Sequence, residues 1–329
     1  METRAFGATD LRVSAIGLGT WPLGGARYGP SDDGDARRGI RAALDLGVTC
    51  FDTAPSYGNG HAETLLGEAL AARRSGVAIV TKGGLVWNER SEVVGRDSRR
   101  RTLEAQIEAS LRRLRTDYVD LYLIHWPDRD TPIEEAAGAL ESFVRAGKAR
   151  YVGVSNFHAP EIRTVATALR GVPLAASQVG FSLFDGRWAR ETFDACRSLG
   201  VGVMAYGPLA HGLLAGAITR ATVFEPTDWR AAGIVFGQPL LTAEHRDRNL
   251  AVVERLAALA TRLHLTLPQL ALAWVLAHPP VTVALVGART PREIEEGARA
   301  AGVSLGDEAM EEIAAIMQAA AGRSTELPN

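Results

Sequence analysis

Short apolar, β-rich runs alternate with amphipathic helical patterns along almost the whole chain, and this alternation restricts its fold more than any other feature. The runs fall at residues 15–18, 49–52, 77–81, 119–124, 151–154, 176–179, 201–205 and 281–286. Most are nearly continuous in apolar residues, as parallel strands covered on both faces should be. Between them lie stripes of helical period, such as Leu103, Ile107, Leu111 and Leu114, or Ile133, Ala137, Leu140 and Val144 behind Pro132. Most strand starts are roughly 25–40 residues apart, the size of a βα repeat. Eight such units favour a closed (β/α)8 TIM barrel over an open doubly wound sheet. A barrel of this kind accommodates all 329 residues as a single domain, 1–329, with no linker or low-complexity tract to divide it.

Three segments stand outside the repeat. Residues 6–13 read as an N-terminal β-hairpin able to plug the bottom of the barrel. Residues 83–101 form a long polar connection after the third strand, and residues 207–245 a longer one after the seventh. In a barrel the loops after the strands build the active-site face, so both are candidate covers for substrate or cofactor.

Composition narrows the function classes. A net charge of -2 offers nucleic acid or an anionic membrane no electrostatic attraction. No apolar run is long enough to span a bilayer, and the N-terminus lacks the layout of a signal peptide. Cys50 and Cys196 read as reduced structural thiols, so a cytoplasmic protein is expected. No Gly-x-Gly-x-x-Gly follows a strand, no phosphate-cradling Walker loop occurs, and zinc-type Cys/His spacing is missing. A nucleotide would therefore not be bound in the Rossmann manner, and no metal site is expected.

The polar residues collect at strand ends. Asp52 closes the second run with Tyr57 just beyond, Lys82 follows the third, and His125 follows the fourth. Ser155 and Asn156 follow the fifth, Gln178 lies in the sixth, Tyr206 follows the seventh, and Gly287 with Arg289 follows the eighth. Of 36 basic residues only Lys82 and Lys148 are lysine, and Lys82 sits at the end of an apolar strand, an unusual place for a charge. Each residue alone has a structural reading: Asp52 as a turn cap, Tyr57 as a loop aromatic, His125 as a backbone partner, Lys82 as one half of an ion pair. A carboxylate, a phenol, an ammonium and an imidazole converging on three adjacent strand ends form an acid–base constellation instead.

The segments around these residues resemble the aldo-keto reductase family. The likeness begins at Gly47-Val48-Thr49-Cys50-Phe51-Asp52-Thr53-Ala54-Pro55-Ser56-Tyr57-Gly58 with Glu63. It continues through Val80-Thr81-Lys82, Asp117-Tyr118-Val119-Asp120-Leu121 to His125, and Gly147-Lys148-Ala149-Arg150. Gly153-Val154-Ser155-Asn156-Phe157, Ala205-Tyr206-Gly207-Pro208-Leu209 and Gly212-Leu213-Leu214-Ala215-Gly216 complete it, in order over nearly the whole chain. Within the family the chain is most similar to bacterial members of the inositol-catabolism type.

The resemblance implies an NAD(P)H-dependent oxidoreductase that reduces aldehyde or ketone carbonyls to alcohols, with Tyr57 as general acid. Lys82 would tune the phenol, because an ammonium about 4 Å away favours phenolate by about 4 kcal/mol at an effective dielectric near 20, or roughly three pKa units. Asp52 would hold Lys82 charged, and His125 would hydrogen-bond the substrate oxygen. The family's carboxamide contacts match Ser155, Asn156 and Gln178, its stacking aromatic matches Tyr206, and its pyrophosphate loop matches Gly207, Pro208, Leu209, Gly212 and Leu214. At the adenosine end, Gly287 and Arg289 precede a helix whose dipole suits an anion, which favours NADP(H). Glu293, where many relatives carry Arg or Gln, and Gly297, in place of a common Asn, leave NAD(H) as the alternative, whereas Glu296 is retained; Arg289 also reads as a solvated helix-flank cation. Trp21, Trp87, Trp126, Trp229 and Phe236 are candidate walls for a small carbonyl or sugar-like substrate. The same machinery would serve an NAD(P)+-dependent sugar or alcohol dehydrogenase, or a non-catalytic cofactor sensor. A monomer is compatible with the pattern.

Overall fold

A computed structural model of the chain describes residues 1–25, 32–90, 92–324 and 326. A β-hairpin opens it, formed by β1 (Thr3–Ala5) and β2 (Arg12–Ser14), with Thr3 opposite Ser14 and Ala5 opposite Arg12. Next come β3 (Ile16–Gly19), α1 (Asp33–Asp45), β4 (Cys50–Asp52), α2 (His61–Leu70) and β5 (Ala78–Gly83). A two-stranded ribbon follows, β6 (Leu85–Trp87) and β7 (Val93–Arg96), then α3 (Arg100–Leu114), β8 (Val119–Ile124), α4 (Ile133–Arg145) and β9 (Ala149–Ser155). The remainder comprises α5 (Ala159–Ala168), β10 (Leu174–Gly180), α6 (Ala189–Leu199), β11 (Gly202–Tyr206), α7 (Arg246–Arg262), α8 (Leu267–Leu276), β12 (Val281–Gly287), α9 (Pro291–Ala298) and α10 (Asp307–Met317).

Eight of these strands, in the order β3-β4-β5-β8-β9-β10-β11-β12, close into a barrel in which every neighbouring pair is parallel. The expected (β/α)8 fold is the observed one. The helices start where the sequence supplies caps: the Asp32 carboxylate accepts the Asp35 N–H ahead of α1, and Thr266 and Gln269 form a reciprocal capping box on α8. Ile40, Leu66, Ile107, Leu140, Ile162 and Leu272 carry the helices' apolar stripes into the layer that packs against the outer face of the sheet.

Alternation along the strands decides what fills the barrel. On β5, Ile79 faces the helices while Ala78 and Val80 face inward, and on β4 Phe51 faces outward while Cys50 faces inward. Leu121, Leu123, Ala176, Met204, Val283 and Leu285 complete the interior. Glycine at 17 leaves room for these side chains, since a Cβ there would come within 2.9 Å of a Leu285 methyl and 3.0 Å of a Val283 methyl and would have to displace them. The hairpin closes the N-terminal end: Phe6, Leu11 and Val13 join the interior cluster, and Phe6 lies so close that a Cβ on Gly202 would meet its ring at 2.7 Å. The plug expected from residues 6–13 is present, although those residues supply mainly the turn and the strands lie to either side.

Two expectations about connections change in detail. The segment at 83–101 contains the antiparallel β6–β7 ribbon, with Leu85 opposite Arg96 and Trp87 opposite Val93. Strands this short carry too little periodicity to be read from sequence. The long segment after β11 is organised by an apolar cluster of its own, in which Leu213, Leu214 and Leu240 pack with Leu256 of α7 and Ile316 of α10. No helix among the described residues is long and apolar enough to cross a membrane.

Candidate active site

The inward positions at the C-terminal ends of the strands are polar. Two residues above Cys50 stands Asp52, two above Val80 stands Lys82, and His125 continues the inward row of Leu121 and Leu123. Ser155, Gln178 and Tyr206 occupy the equivalent places on β9, β10 and β11, because the outward positions there are taken by Val154, Val179 and Ala205. A period of two thus delivers six polar side chains to one mouth of the barrel.

Lys82 is fully buried. Its Nζ donates to both Asp52 oxygens at 2.8 Å, to the Thr53 carbonyl at 2.8 Å and to the Tyr57 hydroxyl at 3.4 Å. The ammonium also lies 5.1 Å from the centroid of the Tyr57 ring. Burial pushes the Asp52 carboxyl up and the Lys82 ammonium down, and each opposes the other's shift by pairing with it. Glu63 of α2 anchors the strand from outside, accepting the Thr81 hydroxyl at 2.6 Å and Arg113 Nε at 2.7 Å.

The phenol is not tuned as the sequence suggests. Burial raises the Tyr57 pKa well above its ordinary value, and the charges of Asp52 and then Tyr206 add to the rise. The reason lies in the Lys82–Asp52 bonds: with both carboxylate oxygens on the ammonium, the field at the hydroxyl is largely cancelled and desolvation wins. The expected depression by about three units is therefore corrected to an elevation. His125 crosses Tyr57 edge to face, 6.0 Å between centroids, and burial with the Lys82 charge holds its imidazole neutral.

These residues border a cleft of about 920 Å³ that runs from Tyr57 and His125 to the start of α9. Of the expected cofactor positions, Ser155, Asn156, Gln178 and Tyr206 line its floor, Gly207, Pro208, Leu209 and Gly212 one side, and Gly287, Arg289, Glu293 and Glu296 its far end. Leu214 does not join them. Its side chain is buried in the cluster with α7, and its N–H donates to the Leu209 carbonyl at 3.0 Å, so the loop's own packing claims it. Of the expected substrate walls, Trp21, Trp126 and Trp229 border the cleft. Trp87 is absent from the lining: Leu85 and Val93 of the same ribbon reach the cleft, but Trp87, half-buried beyond the register shift after Val86, does not.

The floor is wired internally. Asn156, in the left-handed conformation that Asn tolerates (φ 63°), donates from Nδ2 to the His125 carbonyl at 3.0 Å and to Ser155 Oγ at 3.1 Å. Its Oδ1 accepts the Tyr206 hydroxyl at 2.9 Å. Gln178 donates from Nε2 to Asp52 Oδ2 at 2.7 Å, and Ser155 donates to the Gln178 carbonyl at 2.9 Å. At the far end the Thr290 hydroxyl caps α9, and Glu293 accepts the Arg289 N–H at 2.6 Å and Arg289 Nη2 at 3.5 Å. Glu296 accepts from the Thr266 hydroxyl and, at 3.3 Å, from Gln269 Nε2.

Sequence reasoning missed His211 and Arg292, which also border the cleft. His211 sits in a Gly- and Pro-rich segment where no periodicity marks a side chain's direction; Arg292 lies on the first turn of α9, one arginine among many. Among the described residues, no group of three or more His, Cys, Asp or Glu is arranged to hold a metal ion.

Sequence and fold are both similar to those of known proteins. The sequence model of the aldo/keto reductase family matches residues 15–318. The chain is 35% identical over 321 residues to aldo-keto reductase YhdN of Bacillus subtilis, covering 97% of this chain and 94% of that protein. It is 33% identical over 324 residues to an NADH-specific methylglyoxal reductase of Escherichia coli, covering 93% and 95%. Among solved structures, the glycerol dehydrogenase AKR11B4 from Gluconobacter oxydans superposes with a TM-score of 0.87 at 35% identity, covering 98% of this chain and 97% of that one.

Proposed function

The chain belongs to the aldo/keto reductase family, and we propose that it reduces aldehyde or ketone carbonyls with NADPH, using Tyr57 as the general acid. One observation carries this reading: the Tyr57 hydroxyl stands 3.4 Å from a buried ammonium that Asp52 holds with both oxygens, beside a cleft of about 920 Å³. The residues fit such a cofactor, because the cleft continues from the phenol along Tyr206 and Gly207 to Arg289, Arg292 and the positive end of α9.

A nicotinamide held along Ser155, Asn156, Gln178 and Tyr206 would supply the hydride for the carbonyl carbon. Tyr57 then gives its phenolic proton to the oxygen that becomes the alcohol. Its raised pKa keeps the proton in place until negative charge develops on that oxygen. The Lys82 Nζ, 3.4 Å from the phenolic oxygen, would hydrogen-bond the phenolate left behind and offset part of the cost that burial and Asp52 place on it. His125, neutral, donates a hydrogen bond that fixes the carbonyl's approach. Asp52 keeps Lys82 charged and aimed.

Arg289 and Arg292 support NADP(H), through a charge match to a 2′-phosphate. The second reading, NAD(H), is favoured by the Glu293 carboxylate already engaging Arg289 and by a relative named as NADH-specific. Run in reverse, the same groups would oxidise an alcohol, the direction in the name of the glycerol dehydrogenase that the fold resembles. Turnover of 4-nitrobenzaldehyde tests the assignment: Tyr57→Phe loses nearly all activity while NADPH still quenches tryptophan fluorescence. Retained turnover would sink the role given to Tyr57.

A further inference from the structure

A second buried carboxylate stands across strand β5 from the Lys82 ammonium. Alternation along β5 turns Lys82 into the barrel mouth and its neighbour Thr81, like Ile79, outward to the helices. There the fully buried side chain of Glu63 on α2 accepts the Thr81 hydroxyl at 2.6 Å and Arg113 Nε at 2.7 Å. Neither Glu63 nor Thr81 borders the cleft, so neither meets a ligand held there.

Glu63 belongs at the same time to the segment that carries the phenol. From Tyr57 the chain turns directly into α2: the His61 N–H donates to the Gly58 carbonyl at 3.0 Å and the Ala62 N–H to the Tyr57 carbonyl at 3.3 Å, with Gly60 at a φ of 87°. The Arg113 side chain lies against Gly60, so close that a Cβ there would collide with Nε. Further along α2, a Cβ on Gly67 would meet the Arg113 carbonyl at 2.6 Å, which seats the helix on the end of α3. The Tyr57 turn, α2, α3 and the strand bearing Lys82 therefore meet at one carboxylate.

We propose that Glu63 is a positioning residue for the Lys82–Tyr57 pair: by tying Thr81 to the segment that follows the phenol, it holds the ammonium 3.4 Å from the Tyr57 hydroxyl. This rests on the carbonyl-reductase reading and gives that reaction a determinant outside the cleft. The contact it protects is the fragile one. Lys82 Nζ has three partners at 2.8 Å, two on Asp52 and one on Thr53, and the phenol is the longest of its bonds, at the limit of hydrogen-bonding range. A slip of a few tenths of an ångström in β5 breaks it while the Asp52 pair follows the lysine. Glu63 also acts by charge. Asp52, Cys50, Tyr57 and His125 surround the ammonium on the barrel side, and from across the sheet Glu63 adds a negative field, after that of Asp52, that favours the protonated amine. Arg113 supplies the counter-charge that lets a carboxylate stay in this dry layer.

The test compares Thr81→Val, which keeps the shape and removes the donor, with Thr81→Ser, which keeps the donor, and Glu63→Gln, which removes the charge. With NADPH and 4-nitrobenzaldehyde, Thr81→Val and Glu63→Gln should lower kcat about tenfold or more and leave both KM values within about threefold, while Thr81→Ser recovers most of the loss. A second readout needs no turnover. Lys82 and Lys148 are the chain's only lysines, so ¹³C-labelled lysine gives two side-chain signals, assigned with Lys82→Met. In Glu63→Gln the Lys82 signal should titrate about one pH unit lower with Lys148 unmoved. In Thr81→Val the Lys82 signal should change position at constant pH. Lower melting temperatures decide nothing, since a plain structural anchor would also give them. An unchanged kcat in Thr81→Val, or a Lys82 signal unmoved in both variants, would overturn the proposal. Should Glu63→Gln not fold, the two Thr81 variants carry the test. If the wild type reduced no aldehyde with NADPH or NADH, the reductase reading would fall, and the lysine signals alone would then decide whether Glu63 sets the ammonium.

Discussion

Gln178 donates to the same Asp52 carboxylate that Lys82 grips, at 2.7 Å on Oδ2. Its amide therefore helps to set the charge pair behind the phenol. Gln178→Leu removes that donor from a buried carboxylate, which costs about 1–3 kcal/mol when a group is left unpaired. Thermal unfolding should shift down accordingly, and the pH profile of kcat should move because Asp52 takes up a proton more readily. A profile unchanged from wild type would contradict this wiring.

Breaking the buried pair on one side should be worse than removing both charges. Lys82→Met leaves Asp52 buried and uncompensated, at a cost of about 3–5 kcal/mol. Adding Asp52→Asn should recover much of that stability and none of the turnover. Denaturant titrations of the two singles and the double would show it; simple additivity would refute the coupling.

Cofactor choice should respond to the Arg289–Glu293 contact. Arg289→Ala is expected to weaken NADPH binding by about 1.5–3 kcal/mol, the worth of a charge-assisted bond, while NADH changes little. Glu293→Gln removes the ion-pair partner of the Arg289 guanidinium and should strengthen NADPH binding. Fluorescence titration with both dinucleotides reads the difference, and equal losses for both would show that Arg289 does not meet a 2′-phosphate.

Stability should fall as the solution is acidified. His125 and His211 are held neutral by burial, with folded pKa values below the unfolded value near 6.5. Below that pH the unfolded chain binds protons that the folded one refuses, so stability declines by at most about 1.4 kcal/mol per pH unit for each excluded proton. For His211 the decline ends near its folded value of about 3. Asp97, held low by its bonds to Arg99, adds a loss at more acid pH, because stability present above about 3.9 disappears as the pH falls through its depressed value. His211→Gly should flatten the slope between about pH 6 and 4; an identical slope would mean the imidazole is not excluded from protonation.

The barrel and its acid–base residues were legible because both follow from a period of two. Apolar runs located the strands, and the polar residue ending each inward row, Asp52, Lys82 or His125, then had one mouth to occupy. Partners across the mouth were not legible. Nothing in the sequence distinguishes a Gln178 that bonds Asp52 from one that awaits a ligand, since their separation of 126 positions is bridged only by the closed sheet. Leu214 was misplaced because a loop with its own apolar cluster reads, residue by residue, like a loop without one. His211 escaped notice because left-handed backbone at Ala210 and His211 aims the ring, and neither residue type advertises that conformation.

Among the described residues, the hairpin that seats Phe6 under Gly202 covers the N-terminal end of the barrel, and the cleft opens at the opposite mouth. In the proposed reaction, reactant, product and the proton that restores the phenol would all pass through that mouth. Two ligands sharing such a vestibule cannot come and go independently: whichever settles deeper has to arrive first and depart last. Steady-state kinetics should accordingly be sequential and ordered rather than random.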